Sequence, residues 1–404
     1  MTGVSTYGQA LSRIGLLNDQ NRLLNSLTTQ LATGKKTQSF TGLNNDILTS
    51  KRARASVQSL ETYVDNIKNA DRRINLMLNA VEEFKAQAEN FANSLVQFSQ
   101  ESVHQDGEVI VYDDPLTLNV IETTQVGMTE AGSDVDLETM RELAGNLFEF
   151  MGELLNTKET DRFLLGGADS LTQPYTNTGT LDAAMSTLIA NWKDETLPAA
   201  TNLTSAELTS ALRSRTVAED PNAVTDTIIG YSAALSAGNV GDIFVRVDER
   251  IEVEYTAVAN EQAFRDIMVA AAFITNENLT PIADVYAEPY TPGDATLVDG
   301  APGADLDEMK DNFFEVFNSM TTMVNDALDD IDGIRFRLES ARARLDEVRQ
   351  THETDKNTLL NAIGDVEDID INNVAIQLNT LQVQLDASYR VTASVQQLSL
   401  VNFL

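Results

Sequence analysis

The sequence has 404 residues, and its 28 Lys or Arg against 62 Asp or Glu give a net charge of −34. A chain this acidic is unsuited to nucleic acid or anionic lipid, because both are bound by neutralising phosphate with Lys and Arg. It has no cysteine, which excludes disulfides, thiolate metal sites and cysteine nucleophiles. Neither a basic-then-apolar secretion signal nor an apolar run of about 18 residues is visible, so we expect no membrane insertion.

The N-terminal segment from Tyr7 to Ala32 carries apolar residues at helical spacing. We expect this helix to end near Gly34, because glycine adopts the left-handed conformation found at helix C-termini. Lys35 and Lys36 then suit the negative end of the helix dipole. The apolar positions that fall on a heptad grid are Ile14, Leu17, Leu24, Leu27 and Leu31.

A second helix is predicted from Asn45 to Gln100, where no proline forces a break. Residues 101–135 interrupt the pattern, and GEVIVYDDP within them predicts a short strand that ends in a turn. Helix resumes at Asp136, a suitable N-cap, and continues to about Thr160. The buried stripe of the second helix is expected at Val57, Leu60, Val64, Ile67, Ile74, Met77, Leu78, Val81, Phe84 and Phe91.

Residues 166–304 differ in composition from both ends of the chain and contain every proline except Pro115. This block has short helices and strands of alternating apolar residues, which predicts an α+β domain. The predicted elements are helices at Leu181–Trp192, Ser205–Arg213 and Glu261–Ile274, and a hairpin from Ile243–Val247 to Ile251–Tyr255.

The C-terminal third is helical again. We predict a helix from Asp307 to Gly364, softly broken at Gly333, and a last helix from Ile369 to Leu400. Its apolar residues follow the alternating spacing of three and four that lets helices pack through a seam. The seam positions are Ile371, Val374, Leu378, Leu381 and Leu385, with Leu398 and Leu400 beyond a weaker stretch.

The predicted fold is therefore mainly α, a long antiparallel helical bundle or coiled coil formed by the N- and C-terminal segments with an inserted α+β domain. Terminal helices at opposite chain ends must bury their seams against each other or against neighbouring subunits. We favour neighbouring subunits for Ser5–Leu31 and Ile371–Leu404. The predicted domains are a polymer-core helix at 1–44, the N-terminal bundle at 45–165, the inserted domain at 166–304, the C-terminal bundle at 305–364 and a polymer-core helix at 365–404.

Three segments resemble a known family. LLNSLTTQLATGKKTQSFTGLNND is similar to the start of flagellins and their hook-associated relatives, where a heptad helix ends in Ser/Thr-Gly and basic residues. The acidic residues Glu367, Asp368 and Asp370, the Gln- and Leu-rich helix after them and the closing LSLVNFL resemble the hook–filament junction group (hook-associated protein 3). RFLLGG, at 162–167, resembles an aromatic-leucine-glycine passage of the same group.

This resemblance implies a structural subunit that joins hook to filament after export through the flagellar type III apparatus, and hence an extracellular place in the flagellum. It implies further copies of the chain in a ring or helical array, a hook-side junction protein, flagellin and an export chaperone as partners. One alternative is the major filament flagellin. A second is a flagellin-like surface protein whose inserted domain binds carbohydrate, as in adhesion.

The residues do not predict an enzyme, and we expect no catalytic, cofactor-binding or metal-binding site. His104 and His352 fit no zinc spacing and are interpreted as solvated surface residues. Glu367, Asp368 and Asp370 are expected to cap the last helix more readily than to hold a divalent ion. Gly166-Gly167 lacks the strand-and-helix setting of a phosphate loop, so it is interpreted as a turn.

Overall fold

The chain folds mainly into α-helices, as the sequence predicts. The computed structural model describes residues 3–99, 109–113, 120–124, 137–193, 198, 201–276, 302 and 306–401. The helices are α1 (Gly3–Thr33), a 3-10 helix (Phe40–Asp46), α2 (Ile47–Ser99), α3 (Leu137–Leu155), α4 (Thr180–Lys193), α5 (Ser205–Arg213), α6 (Asp226–Ile229), α7 (Ala233–Ser236), α8 (Gln262–Asn276), α9 (Leu306–Glu367) and α10 (Ile371–Val401).

Short strands form three antiparallel pairs in the described part of the chain. The hairpin predicted in the middle of the sequence is confirmed, with Val245 opposite Val253, and the strand predicted within residues 101–135 is confirmed at Val109–Asp113. The second strand of that pair was not predicted. The strands are β1 (Val109–Asp113) with β2 (Val120–Thr124), β3 (Lys158–Glu159) with β4 (Arg162–Phe163), and β5 (Phe244–Arg246) with β6 (Glu252–Glu254).

The chain divides into two compact units. We call Met1–Asp65 with Val348–Leu404 the terminal unit, and Asn66–Glu347 the central unit. The boundaries predicted for an inserted domain, at 166 and 304, stay a prediction.

Within the central unit, α2 and α9 lie antiparallel and carry ion pairs between them. Lys85 Nζ lies 2.7 Å from an Asp332 carboxylate oxygen, and Arg342 Nε lies 2.9 Å from Asp71 Oδ1. The predicted stripe of α2 is buried from Ile67 to Phe91, so the periodicity located its inner face correctly.

Helix α8 is the centre of the central unit, and α3, α4, α5 and α6 pack against it. Eleven of its fifteen residues are buried, which few helices achieve because most have one solvated face. Phe264 contacts the Phe84 ring edge-to-face at a centroid distance of 4.8 Å. The helices predicted at Leu181–Trp192, Ser205–Arg213 and Glu261–Ile274 are all confirmed, the second with identical bounds.

One cation is buried completely in this core. Arg265 donates from Nη2 to the carbonyl oxygens of Ser214 and Val224, at 2.5 and 2.6 Å, and from Nη1 to Asp266 Oδ1 at 2.9 Å. Its Nε lies 3.9 Å from Asp226, a buried carboxylate that also accepts hydrogen bonds from Arg215 and Asn260. A buried charge is tolerated only when it is paired in this way.

Two predicted helix boundaries are wrong. The helix predicted to reach Thr160 ends at Leu155, because both groups of the Asn156 side-chain amide bond to the Tyr175 backbone and Thr160 has a positive φ of 58°. The soft break predicted at Gly333 does not occur in α9. A glycine costs a helix about 1 kcal/mol, which burial of the neighbouring Ile331 and Ile334 offsets.

Candidate functional site: the terminal helix pair

The first and last helices of the chain, α1 and α10, pack against each other within the terminal unit. Asn21 of α1 donates a hydrogen bond to the Tyr389 hydroxyl of α10 at 3.3 Å, and Gly34 accepts one from the Ile369 amide at 3.0 Å. The numbering rises along α1 while it falls along α10, so the two helices are antiparallel.

Seven of the twelve predicted seam residues meet in one apolar cluster of this pair. Leu27, Val374, Leu381 and Leu385 are its buried members, and Leu17, Leu24 and Leu378 pack against them, together with Ile369. The seam therefore has a partner inside the same chain.

The other predicted seam residues do not join that cluster. Ile14, Leu31 and Ile371 are exposed by 55, 38 and 60%. The side chains of Leu398 and Leu400 lie outside the part of the structure that is described. For the three exposed residues, contact with a neighbouring subunit remains our proposal.

A second apolar face of the pair was missed by the sequence analysis. Leu16 and Leu23 of α1 are exposed by 61 and 50%, and Ile376 and Val383 of α10 by 65 and 71%. Each couple is seven residues apart, which puts its members on one helix face. The sequence does contain a pattern that indicates this face, because each helix has a second series of apolar residues at heptad spacing beside the predicted seam.

Exposed apolar residues concentrate on these two helices. Ten of the eighteen large apolar side chains that are exposed in the described residues belong to α1 or α10. The same two helices contain only three basic and two acidic residues, in a chain of net charge −34. A large, nearly uncharged apolar surface is typical of a site that another protein covers.

A buried carboxylate fixes the base of the helix pair. Glu367, at the end of α9, accepts two hydrogen bonds from Arg54, at 2.9 and 2.6 Å, and one from Ser50 Oγ at 2.5 Å. Lys35 Nζ lies 3.5 Å from the same carboxylate and also pairs with Asp368. These bonds join the loop after α1, the start of α2 and the end of α9, so we call them the Glu367 cluster.

The hydrogen bonds from Arg54, followed by those from Ser50 and the nearby cations, lower the pKa of Glu367 to about 2. A carboxylate that accepts several charge-assisted hydrogen bonds is held in its ionised form. Glu367 therefore stays charged well below the pH at which an exposed glutamate would be protonated.

The neighbouring residues follow the prediction in part. Gly34 ends α1 with a φ of +71°, as predicted, and Asp370 caps α10 by accepting hydrogen bonds from two amides of its first turn. Lys36 differs from the prediction, because it donates to the carbonyl oxygens of Asp365 and Val366 and so serves the C-terminus of α9. The turn at Gly34 brings Lys36 next to the C-terminal end of α9.

The prediction that His352 is a solvated surface residue is wrong, since only 3% of it is exposed and its ring stacks on Tyr63 at 5.8 Å. An imidazole is small and flat enough to fill such a core position beside an aromatic ring. His104 lies outside the described residues. Within the described part, no three His, Asp or Glu side chains gather into a possible metal site, and no helix has the length and apolar character of a membrane crossing.

The C-terminal part of the chain matches a known family. Residues 321–404 match the family model of the bacterial flagellin C-terminal helical region. The matched segment contains α10 and much of α9, and it supports the flagellin superfamily, a structural family, for this chain. A search of curated proteins finds no match.

Proposed function

We propose that this chain is a structural subunit of the bacterial flagellum that joins the hook to the filament. It acts mechanically, outside the cell, after export through the flagellar type III apparatus. Its terminal helices α1 and α10 contact further copies in a ring or helical array, and contact the hook-side junction protein and flagellin. A cytoplasmic chaperone covers these helices before export.

The observation that carries the proposal is the exposed apolar surface of the terminal helix pair, which lies partly in the segment that matches flagellins. Burying one large apolar side chain contributes about 1.5–3 kcal/mol. Ten such side chains left in water would favour assembly strongly, even after the cost of ordering two partners.

The junction role, as opposed to the filament itself, is supported by the resemblance of the chain's closing segment. The acidic residues before α10 and the final LSLVNFL are similar to the junction group. The structure adds roles for two of those acidic residues, since Asp370 caps α10 and Glu367 holds the base of the pair.

A deletion strain tests this function. We expect cells that lack the protein to keep their hooks and to release unattached flagellin into the medium, because nothing then couples the two polymers. Electron microscopy of the cells and immunoblots of the medium measure both effects. Filaments that stay attached to the hook would contradict the proposal.

The rival function is tested with the purified protein. A filament flagellin forms long polymers by itself at high concentration, whereas a junction subunit is limited to a thin layer. Long self-filaments in electron micrographs, together with a deletion strain that makes no filament, would favour the rival.

A further inference from the structure

The start of α2, in the terminal unit, presents a stripe of exposed residues that the terminal helix pair does not use. Leu48, Lys51, Arg52 and Ala55 are all exposed and have the spacing of one helix face. Leu48 is exposed by 56%. The opposite face of this helix segment is buried through Ser50, Ala53 and Val57, so the stripe points away from the core.

An aromatic ring extends the stripe. Phe40, in the 3-10 helix before α2, is exposed by 43%, and its ring lies 5.6 Å from Lys51 Nζ and 5.9 Å from the Arg54 guanidinium. Arg54 is also held by Glu367, which fixes its position. We call the surface of Phe40, Leu48, Lys51, Arg52 and Arg54 the basic patch.

The basic patch opposes the charge of the chain as a whole. Residues 34–54 contain five Lys or Arg and one Asp, whereas the full chain contains 28 Lys or Arg and 62 Asp or Glu. Lys35 and Arg54 already pair with Glu367, so Lys51 and Arg52 supply the positive charge that the patch offers to a partner. Within the described residues, neither Lys51 nor Arg52 has a carboxylate in ion-pair distance. Aromatic residues and Arg are enriched in protein interfaces, and an exposed basic surface complements carboxylates on a partner.

We propose that the basic patch binds carboxylates on a second copy of this chain. This inference rests on the proposed function, because it names a contact that the array of subunits uses besides its apolar helices. Charge complementarity selects the partner, since a second copy has a net charge of −34 and offers exposed carboxylates such as Asp329 and Asp330. Two such acidic chains repel each other, and the basic patch is where one can approach the other favourably.

Charge reversal of the patch tests the contact in the full-length protein. We expect Lys51→Glu/Arg52→Glu to weaken self-association at low salt about tenfold or more, measured by sedimentation velocity over a concentration series. The effect shrinks near 1 M salt, where the screening length falls to about 3 Å. Circular dichroism confirms that the variant folds, which we expect because both side chains are exposed.

A matched control separates position from total charge. Arg250→Glu/Arg344→Glu changes the net charge by the same amount at two exposed arginines outside the patch. We expect it to associate like the unaltered protein apart from a small general repulsion. Equal losses in both variants, no loss in the patch variant, or no self-association of the unaltered protein would each overturn the inference.

Carbodiimide cross-linking identifies the partner directly, because it joins an amine only to a carboxylate in contact. Mass spectrometry should find Lys51 joined to a carboxylate of another copy, and Lys51→Arg should abolish the product while it keeps the charge. Cross-links only within one chain, or binding of the monomer to anionic vesicles through the same residues without self-association, would overturn the inference. If the basic patch makes no contact with a second copy, the deletion strain still releases unattached flagellin. Failure of this inference is therefore distinguishable from failure of the proposed function.

Discussion

Helices α8 and α10 are both rich in apolar residues, yet they use them in opposite ways. α8 buries eleven of its fifteen residues inside one chain. In the part of α10 whose side chains are described, 371–394, only Val374, Leu381 and Leu385 are buried, while Ile376 and Val383 lie in water. An apolar helix belongs to a core when the same chain surrounds it, and to an assembly surface when the chain covers one face only. We expect mutations in the two helices to affect different measurements.

The largest effect is expected in α8. Phe264→Ala should lower the free energy of unfolding of the central unit by about 3–5 kcal/mol, because it removes a fully buried ring and leaves a cavity beside Phe84. Denaturant titration of the monomer measures it. Val383→Ala is the matched control in α10, with an expected change within about 0.5 kcal/mol, and an equal loss in both would erase the distinction between the helices.

A loss of similar size is expected when the buried cation of α8 is removed. Arg265→Ala should cost about 3–5 kcal/mol, because the buried carboxylate of Asp226 and the partly buried one of Asp266 would lose a partner, and two backbone carbonyls would lose a donor. The exposed Arg250→Ala serves as the control in the same titration. A variant as stable as the control would mean that the paired charges are dispensable.

Within α10, the inner face should behave like a small core. Leu381→Ala removes a buried member of the terminal cluster, and we expect a local loss of about 2–4 kcal/mol. Amide exchange should speed up in both α1 and α10 of the monomer, since each helix supports the other. Exchange that changes in α10 alone would show that the antiparallel pair does not exist in solution.

A smaller and pH-dependent effect is expected from the Glu367 cluster. At neutral pH, Glu367→Gln should cost about 1–3 kcal/mol through its charged hydrogen bonds. Because folding lowers the pKa of this carboxyl to about 2, its contribution is complete above the ordinary value of about 4.3 and is lost as the pH falls from there through 2.

Thermal unfolding of the terminal unit between pH 2 and 6 measures this contribution. The unaltered protein should lose stability on acidification more steeply than Glu367→Gln. Replacing Lys35 or Arg54 with an uncharged residue should make this loss partly shallower, because each helps to lower the pKa of Glu367. Parallel pH profiles for the two proteins would show that Glu367 has an ordinary pKa.

The local features were predictable from the sequence because their causes are local. Helix α5 begins after Thr204 and contains Glu207, which together form a capping box, and its bounds match the prediction. The end of α1 at Gly34 follows from one left-handed residue. The alternating apolar residues likewise predicted the β5–β6 hairpin, and the helical spacing of apolar residues predicted the buried face of α2.

The candidate site was only half predictable because its other half depends on distant residues. Glu367 and Arg54 are 313 positions apart, and no periodicity links them. The burial of His352 follows from Tyr63 in another helix, which a local pattern cannot show. Heptad spacing identified the inner seam of α10, but spacing alone cannot tell whether the partner helix belongs to the same chain. A second apolar series of α10, through Ile376 and Val383, has the same spacing and was overlooked.

Hydroxyl-radical footprinting of the monomer and of the assembled protein shows whether neighbouring subunits cover the exposed face of the terminal helix pair. We expect Leu16, Leu23, Ile376 and Val383 to react readily in the monomer and to become protected on assembly, while the already buried Leu27 and Leu381 change little. Equal reactivity of Ile376 and Val383 in both states would contradict the claim that neighbouring subunits cover the terminal helix pair.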